Sequence, residues 1–305
     1  MRFKLWRRRQ PQAVLGIYLG NAEVAIIRQL PGQAAELISR PRKGALPALL
    51  AELADDQWRN ARCQLVLASG SYELIAIDKP PVTDDELAGA LPWAVRELTR
   101  RPTARLVTDY LQLASQPAGV DKIHVVCSDL DLLQPLVAAI HAAGAELVGI
   151  SIEELAVVRL LSDTAATALL FQVAGDELLL VIARDGQLHV TRRLRGYQQL
   201  AQQSLDSHGP ELVDGLAVEL QRSMDYFELQ LRQPPVKRVV LALPVDEPAL
   251  LAEMLGRNLT VPVQLLDDRL PAPIRGSGKA AQAPLLSSNG QRLAVAAMRL
   301  LELPA

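Results

Sequence analysis

Polar residues in two glycine turns are the first candidates for chemistry in this sequence. Gly20 and Asn21 lie in the turn of "AVLGIYLGNAEVAIIRQL" (13–30), and Gly175 and Asp176 lie in a similar turn of "ALLFQVAGDELLLVIA". Backbone N–H groups at such a turn can bind a phosphate. Glycine and asparagine are also the residues that a tight hairpin turn needs. The pattern is therefore typical of either a phosphate site or a plain hairpin.

Other reactive residue types occur without the spacing that a site needs. Glu153 and Glu154 are adjacent, and adjacent helix residues do not face each other, so we interpret them as the first turn of a helix. Cys63 and Cys127 lie in apolar runs typical of buried strands. The run "GSGK" (276–279) lacks the spacing of a phosphate loop. No CxxC or HExxH pattern occurs, so the sequence predicts no metal site.

Composition excludes several classes of function. Of the 305 residues, 50% are hydrophobic and 22% charged, which provides ample material for a core. A formal net charge of −2 does not favour nucleic acid, and the basic run "TRRLRG" (191–196) is interpreted as one face of an exposed strand. No apolar run approaches the ~20 residues of a membrane span, so we expect a cytoplasmic protein. The basic segment 1–12 is either a solvated tail or a contact with an anionic membrane surface.

Hydrophobic periodicity predicts an α/β protein built from two similar units. Each unit has two strands around a glycine turn, then a third strand and a helix. Such a repeat indicates two lobes related by a pseudo-twofold axis. The expected division is a basic tail at 1–12, a first lobe at 13–81 and part of 146–164, an inserted subdomain at 82–145, a second lobe at 165–270, a flexible loop at 271–290 and a closing helix at 291–305.

The inserted subdomain is expected to open with a helix that carries a conspicuous tryptophan. Thr83 and Glu86 have the spacing of a capping box, and acidic residues fill the first turn, as the helix dipole prefers. Pro92 is expected to kink or split this helix. Trp93 follows it, and two interpretations stay open: a core anchor, or the wall of a groove between the inserted subdomain and the first lobe.

The order and spacing of five segments resemble the actin-like ATPase superfamily, and more narrowly the PilM family of type IV pilus assembly proteins. The segments are "VLGIYLGNAEVAII", "ELVGISIEELAVVRLL", "ALLFQVAGDELLLVIARDGQLHVTRRLRGYQQLAQ", "LAVELQRSMDYFELQLRQPPVKRVVLA" and "RLAVAAMRLLEL". This resemblance implies a two-lobed actin-like (ribonuclease-H-like) α/β fold, an inserted subdomain like that of FtsA and PilM, and a reduced second lobe. The chain length and "LPWAVRELT" are most similar to the PilM-like members of mannose-sensitive haemagglutinin (MSHA) pilus systems.

At all three positions where the superfamily has its ATP-binding motifs, this sequence carries different residues. The resemblance places a metal-binding acid at Tyr18 and a second acid at Gln172, and a Gly-Gly pair at Leu243-Pro244. A carboxylate is needed there because Mg²⁺ must offset the phosphate charge. Asp176 comes one position late in its turn and is interpreted as a solvated turn residue.

The altered motifs predict a protein that binds partners and does not catalyse. We expect no catalytic residue, no metal and no cofactor. An alternative is a nucleotide-binding switch or slow ATPase with a rearranged site, in which ATP and Mg²⁺ bind weakly and Gly20, Asn21 and Gly175 contact the nucleotide. Asp78 or Asp185 would then have to supply the missing charge.

The resemblance also implies a partner and a place to bind it. PilM-like proteins dock the short N-terminal cytoplasmic peptide of PilN, a bitopic inner-membrane protein. Apolar pockets beside exposed strand edges suit such an extended peptide. The candidate contact residues are Leu91, Pro92, Trp93 and Tyr110. The expected role is a scaffold at the cytoplasmic face of the inner membrane that links a PilN-like protein to the pilus motor ATPase, with self-association also implied.

Overall fold

The computed structural model describes residues 13–161, 164–203, 205–266 and 286–301. The basic segment 1–12, the "GSGK" run and most of the loop expected at 271–290 lie outside these residues. The strands within these ranges are β1 (Val14–Leu19), β2 (Glu23–Gln29), β3 (Glu36–Pro41), β4 (Arg62–Leu67), β5 (Glu73–Asp78), β6 (Leu106–Leu111), β7 (Lys122–Asp129), β8 (Glu146–Ile152), β9 (Thr167–Phe171), β10 (Leu178–Arg184), β11 (Gln187–Leu194), β12 (Arg238–Ala242) and β13 (Val263–Leu265). The helices are α1 (Leu46–Leu53), α2 (Asp84–Ala94), α3 (Leu130–Ala142), α4 (Glu153–Val158), α5 (Leu205–Asp225), α6 (Pro248–Asn258) and α7 (Asn289–Leu300).

Two five-stranded sheets have the same topology. The first has the order β3-β2-β1-β4-β8, and the second has the order β11-β10-β9-β12-β13. In each sheet three antiparallel strands are followed by two parallel ones. The central strands β1 and β9 are buried on both faces, which explains why their sequences are continuous apolar runs instead of alternating ones. The repeated strand-turn-strand pattern of the sequence therefore corresponds to a repeated sheet.

Helices cover both faces of the first sheet. On one face, α1 and α3 bury a cluster centred on Trp58, Leu65 and Ile140. On the other face, α4 and α7 pack between the two sheets, where Tyr18 and Phe171 belong to one continuous core. The outer face of the second sheet is covered by α5 and α6.

A close backbone approach fixes α7 against β1. A Cβ atom at Gly16 would lie 2.1 Å from the backbone oxygen of Ala294 and 2.5 Å from the backbone nitrogen of Met298. No side chain fits at those separations, so glycine at this position lets the last helix lie directly on the central strand. The two sheets thus share one helix layer that includes the last described helix.

A third sheet, with the order β5-β7-β6, forms the inserted subdomain. Its limits differ from the expected 82–145. Strand β5 precedes residue 82 but pairs with β7, and Leu136 and Ile140 of α3 lie in the core of the first lobe. The inserted subdomain therefore spans about 73–129. The sequence did not reveal this limit because β5 follows β4 after a short turn and reads as another strand of the first sheet.

The capping box of α2 is present, since Glu86 accepts hydrogen bonds from the backbone N–H and the hydroxyl of Thr83. The helix runs through Pro92, where a kink or split was expected, and ends two residues later, at Ala94. Leu87 and Leu91 face the core of the inserted subdomain. Short turns follow the helix, so its end lies at the surface.

Candidate functional site

The two glycine turns meet across the boundary between the lobes. The side-chain amide of Asn21 in the first turn donates a 2.9 Å hydrogen bond to a carboxylate oxygen of Asp176 in the second. Asp176 is half-buried, and its other carboxylate oxygen, Oδ2, has no partner among the described residues. Burial raises its pKa, and the bond from Asn21 opposes that rise. The interpretation of Asp176 as a solvated turn residue was wrong.

Local structure accounts for both turn glycines. A Cβ at Gly20 would lie 2.5 Å from the carbonyl oxygen of Glu23 and 2.7 Å from the ring of Tyr18. Gly175 has a φ of +87°, a conformation that side-chain-bearing residues rarely adopt. These two positions therefore require glycine whether or not a phosphate binds, and the role of Gly20, Asn21 and Gly175 in nucleotide binding stays a prediction.

Tyr18 and Gln172, the positions where the resemblance implies acids, have buried side chains with hydrogen-bond partners. The Tyr18 hydroxyl donates to Glu153 at 3.1 Å. Burial and the nearby Glu153 carboxylate raise the Tyr18 pKa well above its ordinary value, so the hydroxyl keeps its proton. The side-chain nitrogen of Gln172 donates to the carbonyl oxygens of Asp176 and Tyr197, both at 2.7 Å. Both side chains therefore hold neighbouring elements together.

The start of α7 joins the same region. The side-chain amide of Asn289 donates to the carbonyl oxygens of Gln172 at 2.6 Å and Ala242 at 2.7 Å. These carbonyls lie at the carboxyl ends of the parallel strands β9 and β12, where ligands of α/β sheets commonly bind. In this chain that edge is occupied by an internal side chain, which the sequence analysis did not anticipate.

Arg193 of β11 is the centre of a buried polar network between the lobes. Its guanidinium contacts Glu153 at 2.8 Å and Glu154 at 2.8 Å, and it donates to the Tyr72 hydroxyl at 3.0 Å. The Tyr72 hydroxyl in turn donates to Glu154 at 2.5 Å. Together with the bond from Tyr18 to Glu153, these contacts join the two lobes and the segment that leads into the inserted subdomain.

The carboxylates of Glu153 and Glu154 share the single guanidinium of Arg193. If both carboxylates were ionised, these three groups would carry a net charge of about −1. Glu153 and Glu154 are each only 1% exposed. Burial raises the pKa of Glu153 to about 7, Arg193 opposes the rise, and Glu154 adds to it. Burial works to lower the pKa of Arg193, but Tyr72 and the two carboxylates raise it above its ordinary value. Near pH 7 Glu153 is therefore about half protonated, whereas an ordinary glutamate would be fully ionised.

Sequence reasoning missed this network for two reasons. Glu153 and Glu154 do form the first turn of a helix, as predicted. The residue that brings them into one site is Arg193 of the second lobe, which contacts both carboxylates. Arg193 was assigned to an exposed strand face, whereas its side chain is 19% exposed. Because β11 alternates, one of the two adjacent arginines at 192–193 had to face inward, and that was the available signal.

The four residues predicted to bind a partner differ in how exposed their side chains are. Trp93 is 73% exposed, so the core-anchor interpretation was wrong, and the Arg96 guanidinium lies 5.9 Å from its ring centre. Leu91 is fully buried, so it supports α2 and cannot contact a partner directly. Pro92 is half-buried, and Tyr110 of β6 is 36% exposed.

A cavity of about 320 Å³ lies where the two lobes and the inserted subdomain meet. Leu74, Ile75 and Leu98 of the inserted subdomain line it together with Tyr72 and Arg193. Trp93 does not line this cavity, but Leu98, five residues further on in the turn after α2, does, and Leu98 is 56% exposed. Of these two exposed apolar side chains, only Leu98 therefore borders the cavity.

Within the described ranges, no three His, Cys, Asp or Glu side chains are grouped so that they could hold a metal ion. None of the described helices combines the length and apolar character needed to cross a membrane. The two described cysteines are free and buried.

Comparison with known proteins finds similarity to solved structures and none to family models or curated sequences. No protein-family model matches the sequence, and no curated protein is detectably similar to it. A chain of the PilM–PilN type IV pilus biogenesis complex is 20% identical, with a TM-score of 0.58, over 85% of this chain and 89% of that one. A Bacteroides thetaiotaomicron protein of unknown function with an actin-like ATPase fold is 11% identical, with a TM-score of 0.50, over 84% of this chain and 91% of that one.

These likenesses, together with the two matching sheets, define the class: the chain has an actin-like fold. The predicted fold class is therefore confirmed. The cytoplasmic domain of EpsL, an inner membrane component of the type II secretion system of Vibrio cholerae, is 16% identical with a TM-score of 0.49 over 96% of this chain and 97% of that one, too low to bear on the fold. Membership of the PilM family stays a prediction.

Proposed function

We propose that this protein is a non-catalytic scaffold of a pilus assembly machine. In this proposal it is cytoplasmic, peripheral to the inner membrane, and binds the N-terminal cytoplasmic peptide of a PilN-like bitopic protein. The observation that carries the proposal is the direct hydrogen bonding of the two glycine turns, through Asn21 and Asp176. In an actin-like ATPase those turns hold the nucleotide phosphates, and here they hold each other.

The charge around the turns argues against a nucleoside triphosphate. Arg193 is a buried cation of the adjacent network, and its charge is already offset by its carboxylate partners. The Arg42 guanidinium, 3.4 Å from the carbonyl oxygen of Gly20, is exposed. Asp176 adds negative charge, and the described residues offer no divalent ligand set. A triphosphate would have to displace the bond between Asn21 and Asp176 and approach this negative cluster, and both steps cost free energy.

One observation favours the alternative, a nucleotide-binding switch or slow ATPase. Two buried acceptor atoms, Gln172 Oε1 and Asp176 Oδ2, have no hydrogen-bond partner among the described residues. A hydrated cation between them would satisfy both. The alternative therefore places a cation, and with it ATP, beside the second turn.

Calorimetric titration with ATP and Mg²⁺ separates the two proposals. The scaffold proposal expects no saturable heat at millimolar nucleotide. Micromolar binding that is lost in Asn21→Leu would support the switch, and steady ATP hydrolysis would refute the scaffold. Gly20→Glu is unsuitable for this test because any side chain at Gly20 meets the backbone of Glu23.

Trp93, at the end of α2, and Leu98, in the turn that follows, form the proposed docking surface. Trp93 and Leu98 are both more than half exposed, and Leu98 borders a cavity of about 320 Å³. Exposed aromatic side chains beside a pocket are typical anchor sites for a partner peptide. The structural similarity to a chain from a complex that contains PilN supports this choice of partner.

Co-purification with the N-terminal peptides of bitopic inner-membrane pilus proteins tests the docking proposal. We expect Trp93→Ala and Leu98→Ala to weaken capture at least tenfold while leaving the thermal unfolding temperature unchanged. Leu229 is the matched control, because it is also 73% exposed but lies on the second lobe. If Leu229→Ala weakens capture as much as Trp93→Ala, the surface is wrong. If no such peptide binds, the partner is wrong.

The finer assignment is also a proposal. The chain length and the "LPWAVRELT" segment support an MSHA-type pilus, with this chain in the position of MshI. Contact with the motor ATPase and self-association belong to the same proposal. Deletion of the gene in a strain that carries an MSHA pilus, followed by counting of surface pili, tests the system; unchanged piliation would refute it.

A further inference from the structure

A second cavity, of about 560 Å³, lies between the inserted subdomain and the second lobe. It is separate from the surface proposed for the partner peptide, because neither Trp93 nor Leu98 lines it. Its walls come from β5, β7 and the loop before β7 on one side, and from β11 and the end of α5 on the other. A cavity of roughly 300–1,000 Å³ is the usual size for a small-molecule site.

Hydrogen bonds fix the walls of this cavity. The backbone N–H of Ala114 donates to the carbonyl oxygen of Leu188 at 2.9 Å, which ties the loop to β11. The Ser115 hydroxyl lies 2.8 Å from Nδ1 of His189. In the same loop, the Gln116 side chain bonds to both backbone groups of Lys122, at 2.7 and 2.8 Å. The cavity is therefore preformed, and a ligand does not have to order its walls.

The charged side chains that line this cavity are all positive. Lys122, Arg192 and Arg222 all line the cavity, and none of the described lining residues is acidic. A single carboxylate, Glu219, faces two of these cations, Arg192 at 2.8 Å and Arg222 at 3.6 Å. Lys122 has only a loose contact of 3.8 Å with Asp78. Positive charge is thus in excess at the rim.

The remaining lining is mostly apolar and partly exposed. Leu113 and Pro117 form part of the wall, and Val120 and Tyr226 are 38% and 43% exposed. His124 also lines the cavity, and its Nδ1 atom is buried without a partner in the described part of the chain. An apolar space with cations at its rim and a free polar group inside is complementary to a molecule with an apolar body and an anionic head.

We propose that this cavity binds a small anionic amphiphile, an apolar chain or ring that carries one carboxylate or phosphate group. The apolar body lies against Leu113, Val120 and Tyr226, and the anionic head lies near Lys122 and Arg222. The ligand bridges the inserted subdomain and the second lobe, so its binding stabilises their contact.

Isothermal titration of the full chain with laurate and with dodecyl phosphate, below their micelle-forming concentrations, tests the proposal. We expect saturable binding of one molecule with a dissociation constant on the order of 100 μM. Dodecyltrimethylammonium has a similar chain with a cationic head, and we expect it to bind at least about tenfold more weakly. If only one of the two anions binds, that result identifies the head group.

Variants at the rim separate this site from general binding of detergent. The Lys122→Glu, Arg222→Glu double variant is expected to lose about tenfold in affinity, and Tyr226→Ala about fivefold. Arg257→Glu is the matched control, because Arg257 is an exposed arginine on α6 outside the cavity. All four side chains lie at the surface, so the fold is expected to persist, and the thermal unfolding temperature checks this.

Three results would overturn the proposal. They are equal affinity for the cationic and anionic amphiphiles, unchanged laurate affinity in the double variant, and no saturable binding of either anion. Binding of an acidic apolar peptide that is lost in the double variant, with no binding of these small molecules, would show instead that the cavity is a peptide site.

Discussion

Glu153→Gln should make the protein more stable above pH 7 and leave its stability nearly unchanged near pH 4. Burial raises the pKa of Glu153 from an ordinary 4.5 to about 7. The folded state therefore keeps a proton that the unfolded state releases between these pH values. Rising pH in this interval favours the unfolded state, and stability is lost as pH rises to about 7.

The size of the stability change follows from the difference between the ordinary and the raised pKa of Glu153. One pH unit corresponds to about 1.4 kcal/mol, so the difference between 4.5 and about 7 amounts to roughly 3 kcal/mol. Glutamine has nearly the shape of a protonated glutamic acid and carries no charge. It can still donate a hydrogen bond within the network, and it leaves Glu154 as the sole carboxylate partner of Arg193.

Urea unfolding at pH 4 and at pH 8, followed by circular dichroism, measures the effect. We expect nearly equal free energies of unfolding for Glu153→Gln and the unmodified chain at pH 4, which is below the ordinary pKa of 4.5, and a variant about 3 kcal/mol more stable at pH 8. Glu154→Gln is the matched control. It leaves one acceptor oxygen where Glu154 uses two, one for Tyr72 and one for Arg193, and we expect it to destabilise the protein at both pH values. A Glu153→Gln variant that is less stable at pH 8 would refute the reasoning, because it would mean that Arg193 needs both carboxylates.

Three further predictions concern the contacts that join the lobes. Arg193→Met leaves two buried carboxylates without their cation, and urea unfolding at pH 8 should show a loss of about 3–5 kcal/mol; a loss below about 1 kcal/mol would contradict the network. Asn289→Ala leaves two carbonyl oxygens unpaired and should cost about 2 kcal/mol in the same assay, whereas an unchanged midpoint would mean that water replaces the amide. Gly16→Ala places a Cβ 2.1 Å from the oxygen of Ala294 and should lower the thermal unfolding temperature, by an amount that corresponds to about 2–4 kcal/mol; a normal temperature would show that α7 can shift without cost.

The repeated part of the fold was accessible from the sequence. Two apolar hairpins of similar length predicted two similar lobes, because strands buried on both faces carry continuous apolar runs. The helix start at Thr83 was accessible for the same kind of local reason, a capping box with fixed spacing. These features depend on residues close together in the chain.

The polar network around Arg193 could not be predicted from the sequence, because its members are far apart in the chain. Tyr18 and Glu153 are separated by 135 positions, and Arg193 and Tyr72 by 121. Nothing in the local pattern says that two strands and a helix start will bring these side chains together. The exposure of Trp93 depends on which face of α2 packs inward: Leu87 and Leu91 face the core, and Trp93, two positions after Leu91, lies on the opposite side of the helix.

The position of α7 has a consequence for biosynthesis. α7 follows all the described strands in the chain, yet it lies against β1, the first of them, and is bonded through Asn289 to the ends of β9 and β12. Until α7 leaves the ribosome, the faces of both sheets that it covers are open to water or to other chains. The lobes can form during translation, but their final orientation is fixed only when α7 arrives. A chain truncated before residue 289 should therefore aggregate and should not persist as a smaller working protein.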